Sequence, residues 1–152
     1  MWTVLGTLPA GIVNNGTISN TPRPEIFANW QTLSWPGNND PDTTGPDADP
    51  DRDGTNNLLE WALGLDPNIP DGFRPAFKQG ATLEYTYTRR KTAPGAATYQ
   101  VEWSDGFSND WPAAGVRSDP PISLSTSSES VRNIIPDGPD GRRFIRLKVV
   151  KP

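Results

Sequence analysis

Carboxylates stand at every second position in the stretch DPDRDGTNNLLE, which runs from Asp49 to Glu60. Asp49, Asp51 and Asp53 are followed at once by Gly54, and Glu60 closes the stretch. Such side chains converge on one point only if the chain turns sharply, and a glycine permits the turn. A convergent set of carboxylates is a site for a hard cation. Calcium takes about six to eight oxygens, and D-x-[DN]-x-[DN]-G-x5-E is the spacing of the EF-hand calcium loop.

On that pattern Asp49, Asp51 and Asp53 each offer a carboxylate oxygen, and Thr55 offers its backbone carbonyl. Asn57 stands at the ninth position, where a ligand acts directly or through a water. Glu60, at the twelfth, binds through both oxygens from the first turns of a helix. Without a cation these carboxylates repel one another, so the empty loop is unfavourable. The loop departs from a full EF-hand. TTGPDA precedes Asp49, and Pro46 forbids a regular incoming helix. Asn56 occupies the eighth position, where paired loops place an apolar residue, so a sensor pair is not expected. Asp40, Asp42 and Asp47 lie just upstream. They could complete this site or a weaker second one, but extra carboxylates exceed what one ion needs, and a solvated loop accounts for them.

The elements around the loop follow from periodicity. Residues 24 to 34 read as a helix, with Ile26 or Phe27, Trp30 and Leu33 on one face and Pro36 as its end. Residues 36 to 48 hold no hydrophobic anchor and read as an irregular acidic loop. A second helix is expected from about Asn56 to Leu63, with Leu58, Trp61, Ala62 and Leu65 on one face. Gly64 would take the left-handed C-terminal position, and Pro67 prevents continuation. Leu65 could then fold back on Leu59. Residues 68 to 80 read as a connector.

Beyond the connector the period becomes two. Leu83, Tyr85 and Tyr87 alternate with polar residues, as do Tyr99, Val101 and Trp103, and then Ile145, Leu147 and Val149. Weaker strands are expected near Ile122 to Thr126 and Glu129 to Ile134, joined by a serine-rich turn. Arg89, Arg90 and Lys91 read as a short basic run at a turn. Near the start, Ile12-Val13 and Thr17-Ile18 flank Asn14-Asn15-Gly16, a hairpin signal, and Trp2 to Leu5 could be a further strand. The reading is mainly β: an antiparallel sheet or small β-sandwich with two short helices and an EF-hand-like calcium loop. Three segments follow: 1–22 strand or hairpin, 23–68 helix and calcium loop, 69–152 antiparallel β-domain.

Composition narrows the function. Among 152 residues there are 17 Pro and 14 Gly, so loops and turns take up much of the chain. Six Trp, five Phe and three Tyr nonetheless argue for a packed core. A net charge of -4 disfavours nucleic acid and anionic membrane surfaces. No apolar run approaches the roughly 20 residues of a membrane span. The chain has no Cys and no His, which excludes disulfides, Cys/His zinc sites, thiol nucleophiles and histidine triads. The opening MWTVLGTLPAGIV does not read as a signal peptide.

The stretch DADPDRDGTNNLLEWALGLDP resembles the acidic calcium motifs of thrombospondin type 3 repeats and dockerins. It is more closely similar to a C-terminal module of large secreted proteins from Verrucomicrobia and related bacteria. Those carry a helix, a DxDGDGxxNLLEYALG-like motif, and strands ending in an RRFxRLKV-like segment. The counterparts here are Phe27 to Leu33, Asp47 to Pro67, Tyr85 to Arg90, Tyr99 to Trp103 and Arg142 to Val149. The likeness covers about residues 24 to 150. It implies secretion, calcium and a structural or surface role, without a defined reaction.

The expected function is therefore an extracellular or cell-surface calcium-stabilised structural or adhesive module. An alternative is a surface filament subunit, in which the N-terminal strand region completes a neighbour's sheet. Another is a polysaccharide-binding module that stacks sugars on Trp35, Trp103 or Trp111. The partners left open are a second copy, a cell-surface protein or a polysaccharide. Catalysis is not expected. Glu84 and Glu102 could pair as glycosidase carboxylates, but both fall on the polar face of a strand, where charge is ordinary.

Overall fold

The computed structural model describes residues 13–14, 17–18, 26–91, 97–106, 110–138 and 143–151. Strands β1 (Val13–Asn14) and β2 (Thr17–Ile18) pair antiparallel, with Val13 opposite Ile18. That is the pairing the Asn-Asn-Gly signal predicts. The expected strand at Trp2 to Leu5 and the helix start at Pro24 and Glu25 lie outside the described residues.

Helix α1 (Phe27–Ser34) begins after the extended residue Ile26 and ends at Trp35. Phe27 and Trp30 are buried, but Leu33 is 41% exposed, so the buried face stops one turn earlier than the spacing predicts. Trp35 takes the place expected of Leu33. Its ring meets Trp30 edge-on at 5.5 Å, and its Nε1–H donates to Asn68 Oδ1.

The acidic loop contains a helical turn that its composition hid, α2 (Pro41–Thr44). Polar capping makes it: Asp40 Oδ1 accepts from the Asp42 N–H, and Asp40 Oδ2 from the Thr43 hydroxyl. Pro41 sits at the first position, where a missing N–H costs nothing. Helix α3 (Asn57–Leu63) follows the candidate metal loop and stops at Gly64, whose φ is 82°. The Gly64 and Leu65 N–H groups both donate to the Glu60 carbonyl, at 2.8 and 2.9 Å.

The larger sheet places β8 (Ser128–Ile135) beside β4 (Leu83–Arg90), with β3 (Ala76–Gln79) on the outer side of β4. The short strands β6 (Arg117–Ser118) and β7 (Ile122–Ser123) pair with β8 on its other side. β3 lies in the stretch that reads as a connector. It is exposed along its length, so it carries no alternation. Arg89 and Arg90 are the last residues of β4 rather than part of a turn. The serine-rich turn is as expected, with Ser125 Oγ accepting from the N–H groups of Ser127 and Ser128. A separate ribbon pairs β5 (Thr98–Ser104) with β9 (Phe144–Val150), from Thr98 opposite Val150 to Ser104 opposite Phe144.

The two sheets enclose the main core. Tyr85, Tyr87, Val131 and Ile135 of the larger sheet pack with Val101 of the ribbon, and with Trp103, Ile145 and Leu147 at its margin. The result is a small antiparallel β-sandwich, as the period-two segments predict. Asn133 of β8 is buried and satisfied: its Nδ2 donates to the Tyr85 carbonyl and its Oδ1 accepts from Ser118 Oγ.

Helix α3 joins the layers through two faces rather than the single one expected. Leu63, with Leu59 and Leu65, enters the sandwich core. Trp61 and Ala62 form a second core with Phe27, Trp30 and Ala97. Side chains from the strands also close the helix's last turn. Arg90 Nε donates to the Trp61 carbonyl at 2.6 Å and Tyr99 Oη to the Ala62 carbonyl at 2.8 Å. These carbonyls lack intrahelical partners, and the Arg90 charge suits the negative end of the helix. The candidate loop is thus mounted on an anchored helix.

Candidate metal centre

The loop coils by bonding its own side chains to its own backbone. Asp49 Oδ1 accepts from the Asp53 N–H at 3.2 Å, and Asp49 Oδ2 from Gly54 N–H at 3.0 Å. Asp51 Oδ1 shares the Asp53 N–H at 3.3 Å, and Asp53 Oδ1 accepts from the Thr55 N–H at 2.7 Å. Each such turn reverses the chain within a few residues. Gly54 takes a φ of 89° and Arg52 a φ of 63°, the latter the only left-handed non-glycine among the described residues. Holding a side chain there costs about 1–2 kcal/mol, which the surrounding loop must offset.

The segment before the loop replaces the missing helix. The Asn57 N–H donates to the Ala48 carbonyl at 2.8 Å, and the Leu58 N–H to the Pro46 carbonyl at 3.0 Å. Asn56 Oδ1 accepts from the Leu59 N–H, so every one of these first helix donors is engaged. Asn57 is fully buried, and its Nδ2 donates to the carbonyls of Thr43 and Gly45, at 2.9 and 2.7 Å. Two carbonyls fix which end of the amide points at them, and only Oδ1 is left to face a cation. Asn57 thereby ties α2 to α3 whatever the metal does. We expect Asn57→Ala to cost about 2–4 kcal/mol, in calcium and in chelator alike, because two buried carbonyls lose their donor. Urea unfolding in both buffers checks this; a loss confined to calcium would make Asn57 chiefly a ligand.

Three carboxylates, those of Asp49, Asp51 and Asp53, bring one oxygen each within 4.8 Å of one another. Opposite ligands of one calcium ion stand about that far apart, since each bond is roughly 2.3–2.6 Å. These residues can hold a metal ion. A second triad joins Asp53 and Glu60 to Asp71 within the same limit. Glu60 is completely buried. Both of its carboxylate oxygens, with Asp51 Oδ2 and Asn57 Oδ1, are the buried side-chain oxygens that accept no hydrogen bond among the described residues. An isolated buried carboxylate is penalised by several kcal/mol unless a cation compensates it.

The electrostatics agree with the geometry. Burial, and then the charges of Asp51, Asp53, Asp49 and Asp71, push the Glu60 carboxyl up to about 8. Burial also raises Asp51, against the Asp53 N–H, which favours its charged form. For Asp53 burial works in the same direction, but it is outweighed. The N–H groups of Thr55 and Gly72 and the nearby Arg74 hold that carboxyl below the usual range. A divalent ion would relieve the repulsion that Glu60 and Asp51 feel. An all-oxygen donor set suits a hard cation.

Asp71 is the acidic residue that the spacing rule misses. It lies eleven positions beyond Glu60, in the stretch read as a connector, and tertiary folding returns it to the loop. The neighbouring Gly72 N–H donates to Asp53 Oδ2, and the Phe73 N–H to Thr55 Oγ1 at 3.0 Å. The hydroxyl of Thr55 is thus a structural acceptor, beside the backbone carbonyl assigned to the ion. Asp40, Asp42 and Asp47 belong to neither triad. Asp40 is the cap of α2, a role that needs no ion.

The other candidate residues are otherwise engaged. Arg143 lies 3.5 Å over the Trp103 ring, and Arg146 lies 4.4 Å over that of Trp111. One face of each ring is therefore occupied by a guanidinium. Glu84 bonds Lys78 and Arg132 on the larger sheet. Glu102 bonds Arg146 and Lys148 on the ribbon, and it is buried rather than on a wet face. The two glutamates sit on strands that do not pair with each other. No helix among the described residues is long and apolar enough to cross a membrane. No protein-family model, curated protein or solved structure matches this chain.

Proposed function

We propose that this chain is an extracellular structural or adhesive module whose fold calcium locks. The observation that carries the reading is Glu60: fully buried, with no hydrogen-bond partner on either oxygen among the described residues, beside converging aspartates. Calcium suits the site better than magnesium. Magnesium demands near-octahedral geometry and keeps several waters, whereas calcium accepts an irregular shell and a bidentate carboxylate. The extracellular setting rests on the resemblance of the loop and on the abundance of calcium there. A site built on one loop without a paired partner fits the weaker, extracellular range of affinities. The absence of His and Cys and the ion pairing of Glu84 and Glu102 favour a non-catalytic role.

Thermal melting in excess calcium, excess magnesium and excess chelator tests the proposal. Calcium at about a hundred times its dissociation constant adds about 2.7 kcal/mol, which should raise the midpoint by roughly 5–10 °C. Magnesium should give much less. Equal midpoints in calcium and chelator would reduce the acidic loop to a solvated turn. Polymers on size analysis of the same samples would favour the filament reading instead.

A further inference from the structure

We propose that Asp71 is a calcium ligand from outside the EF-hand-like loop, so that the bound ion staples the 69–73 segment to helix α3. The inference rests on the calcium reading above and adds a residue that no spacing rule supplies. Three observations carry it. An oxygen of Asp71 lies within 4.8 Å of oxygens of Asp53 and Glu60, as ligands of one ion require. Glu60, fully buried and without a hydrogen-bond partner on either oxygen among the described residues, belongs to this triad. The segment is also seated on the loop at two points: Gly72 N–H on Asp53 Oδ2 and Phe73 N–H on Thr55 Oγ1. Gly72 takes a left-handed φ of 43°, which helps the backbone approach Asp53.

The placement gives the ion a tertiary task. Glu60 of this triad is buried and Asp71 is exposed. Asp53 is common to both triads. An ion held by all three joins the middle of the loop, helix α3 and the segment that leads into β3. The ordinary twelve-residue loop would tie only the first two. Calcium would then order the path into the larger sheet as well as the loop itself.

The test is calcium titration calorimetry on the full chain and its Asp71→Asn variant, with hydrogen exchange of both in calcium and in chelator. Asp71→Asn should weaken calcium binding about tenfold or more, since affinity follows the charge and number of ligands. The loss should persist in about 0.5 M potassium chloride, where the pull of a distant charge is screened. In the parent, calcium should slow exchange at Gly72 and Phe73; in the variant it should slow the 49–60 loop but not these two amides. Unchanged affinity and protection would remove Asp71 from the ligand set while leaving the loop site standing. A loss that disappears in high salt would make Asp71 a remote charge and overturn the assignment. A parent chain that binds no calcium would end both readings. Equal melting of the two proteins in chelator would establish that the variant folds.

Discussion

Glu60→Gln is expected to abolish most of the stability that calcium confers, and to leave the chelated protein at least as stable as its parent. Both halves follow from one side chain. Glu60 is fully buried, and its oxygens accept no hydrogen bond from the described residues. In calcium, the amide loses the bidentate ligand and one negative charge. A hundredfold weaker site, at the calcium level that gave the parent about 2.7 kcal/mol, retains only about 0.4 kcal/mol. In chelator, the same change removes a carboxyl that burial and the charges of Asp51, Asp53, Asp49 and Asp71 push up to about 8, so that folding at neutral pH no longer has to protonate it. The new amide can also donate to a neighbouring carboxylate oxygen. Urea unfolding in the two buffers would reveal the opposite signs. Equal destabilisation in both would mean that Glu60 supports packing rather than a cation.

Trp61→Ala is expected to cost about 3–5 kcal/mol, with no dependence on calcium. Trp61 is 3% exposed and meets the Phe27 ring edge-on at 5.6 Å. Phe27 stacks in turn on Trp30 at 5.5 Å, and Ala97 closes the same cluster. Deleting the indole leaves a cavity in a core composed of few residues, and α1 and α3 lose the ring contact between Phe27 and Trp61. Such a loss is a large part of the roughly 5–15 kcal/mol that holds a domain together. Chemical denaturation in calcium and in chelator measures it. A cost below about 1 kcal/mol would imply that α1 contributes little to the fold. The pair of variants separates the two supports of α3: Glu60 acts through an ion and Trp61 through packing.

Much of the fold was legible because its causes are local. Gly64 ends α3 in the left-handed region as its position predicts, since a glycine there meets no steric penalty. Tyr85, Tyr87 and Val101 fill the core on a period of two. The features that stayed hidden have non-local causes. β3 is exposed on both faces, so its partner β4 decides it and no pattern marks it. Helix α2 has no apolar face, and capping by Asp40 with anchoring by Asn57 makes it. Leu33 fits the helical period but is exposed, because the second core turns toward Trp35 instead. Glu102 alternates like a surface residue, yet it is buried where Arg146 and Lys148 neutralise it.

The candidate site divides in the same way. The sequence by itself determined Asp49, Asp51, Asp53, Gly54 and Glu60, since a loop that coils through its own side-chain turns needs only neighbouring residues at set intervals. Tertiary structure alone decided that Glu60 is buried without a hydrogen-bond partner among the described residues, that Asn57 binds two carbonyls of the preceding turn, and that Asp71 returns to the site. Those contacts join residues separated by loops and a helix. Their geometry depends on how α3 packs against the sheets, and spacing along the chain carries no record of that packing.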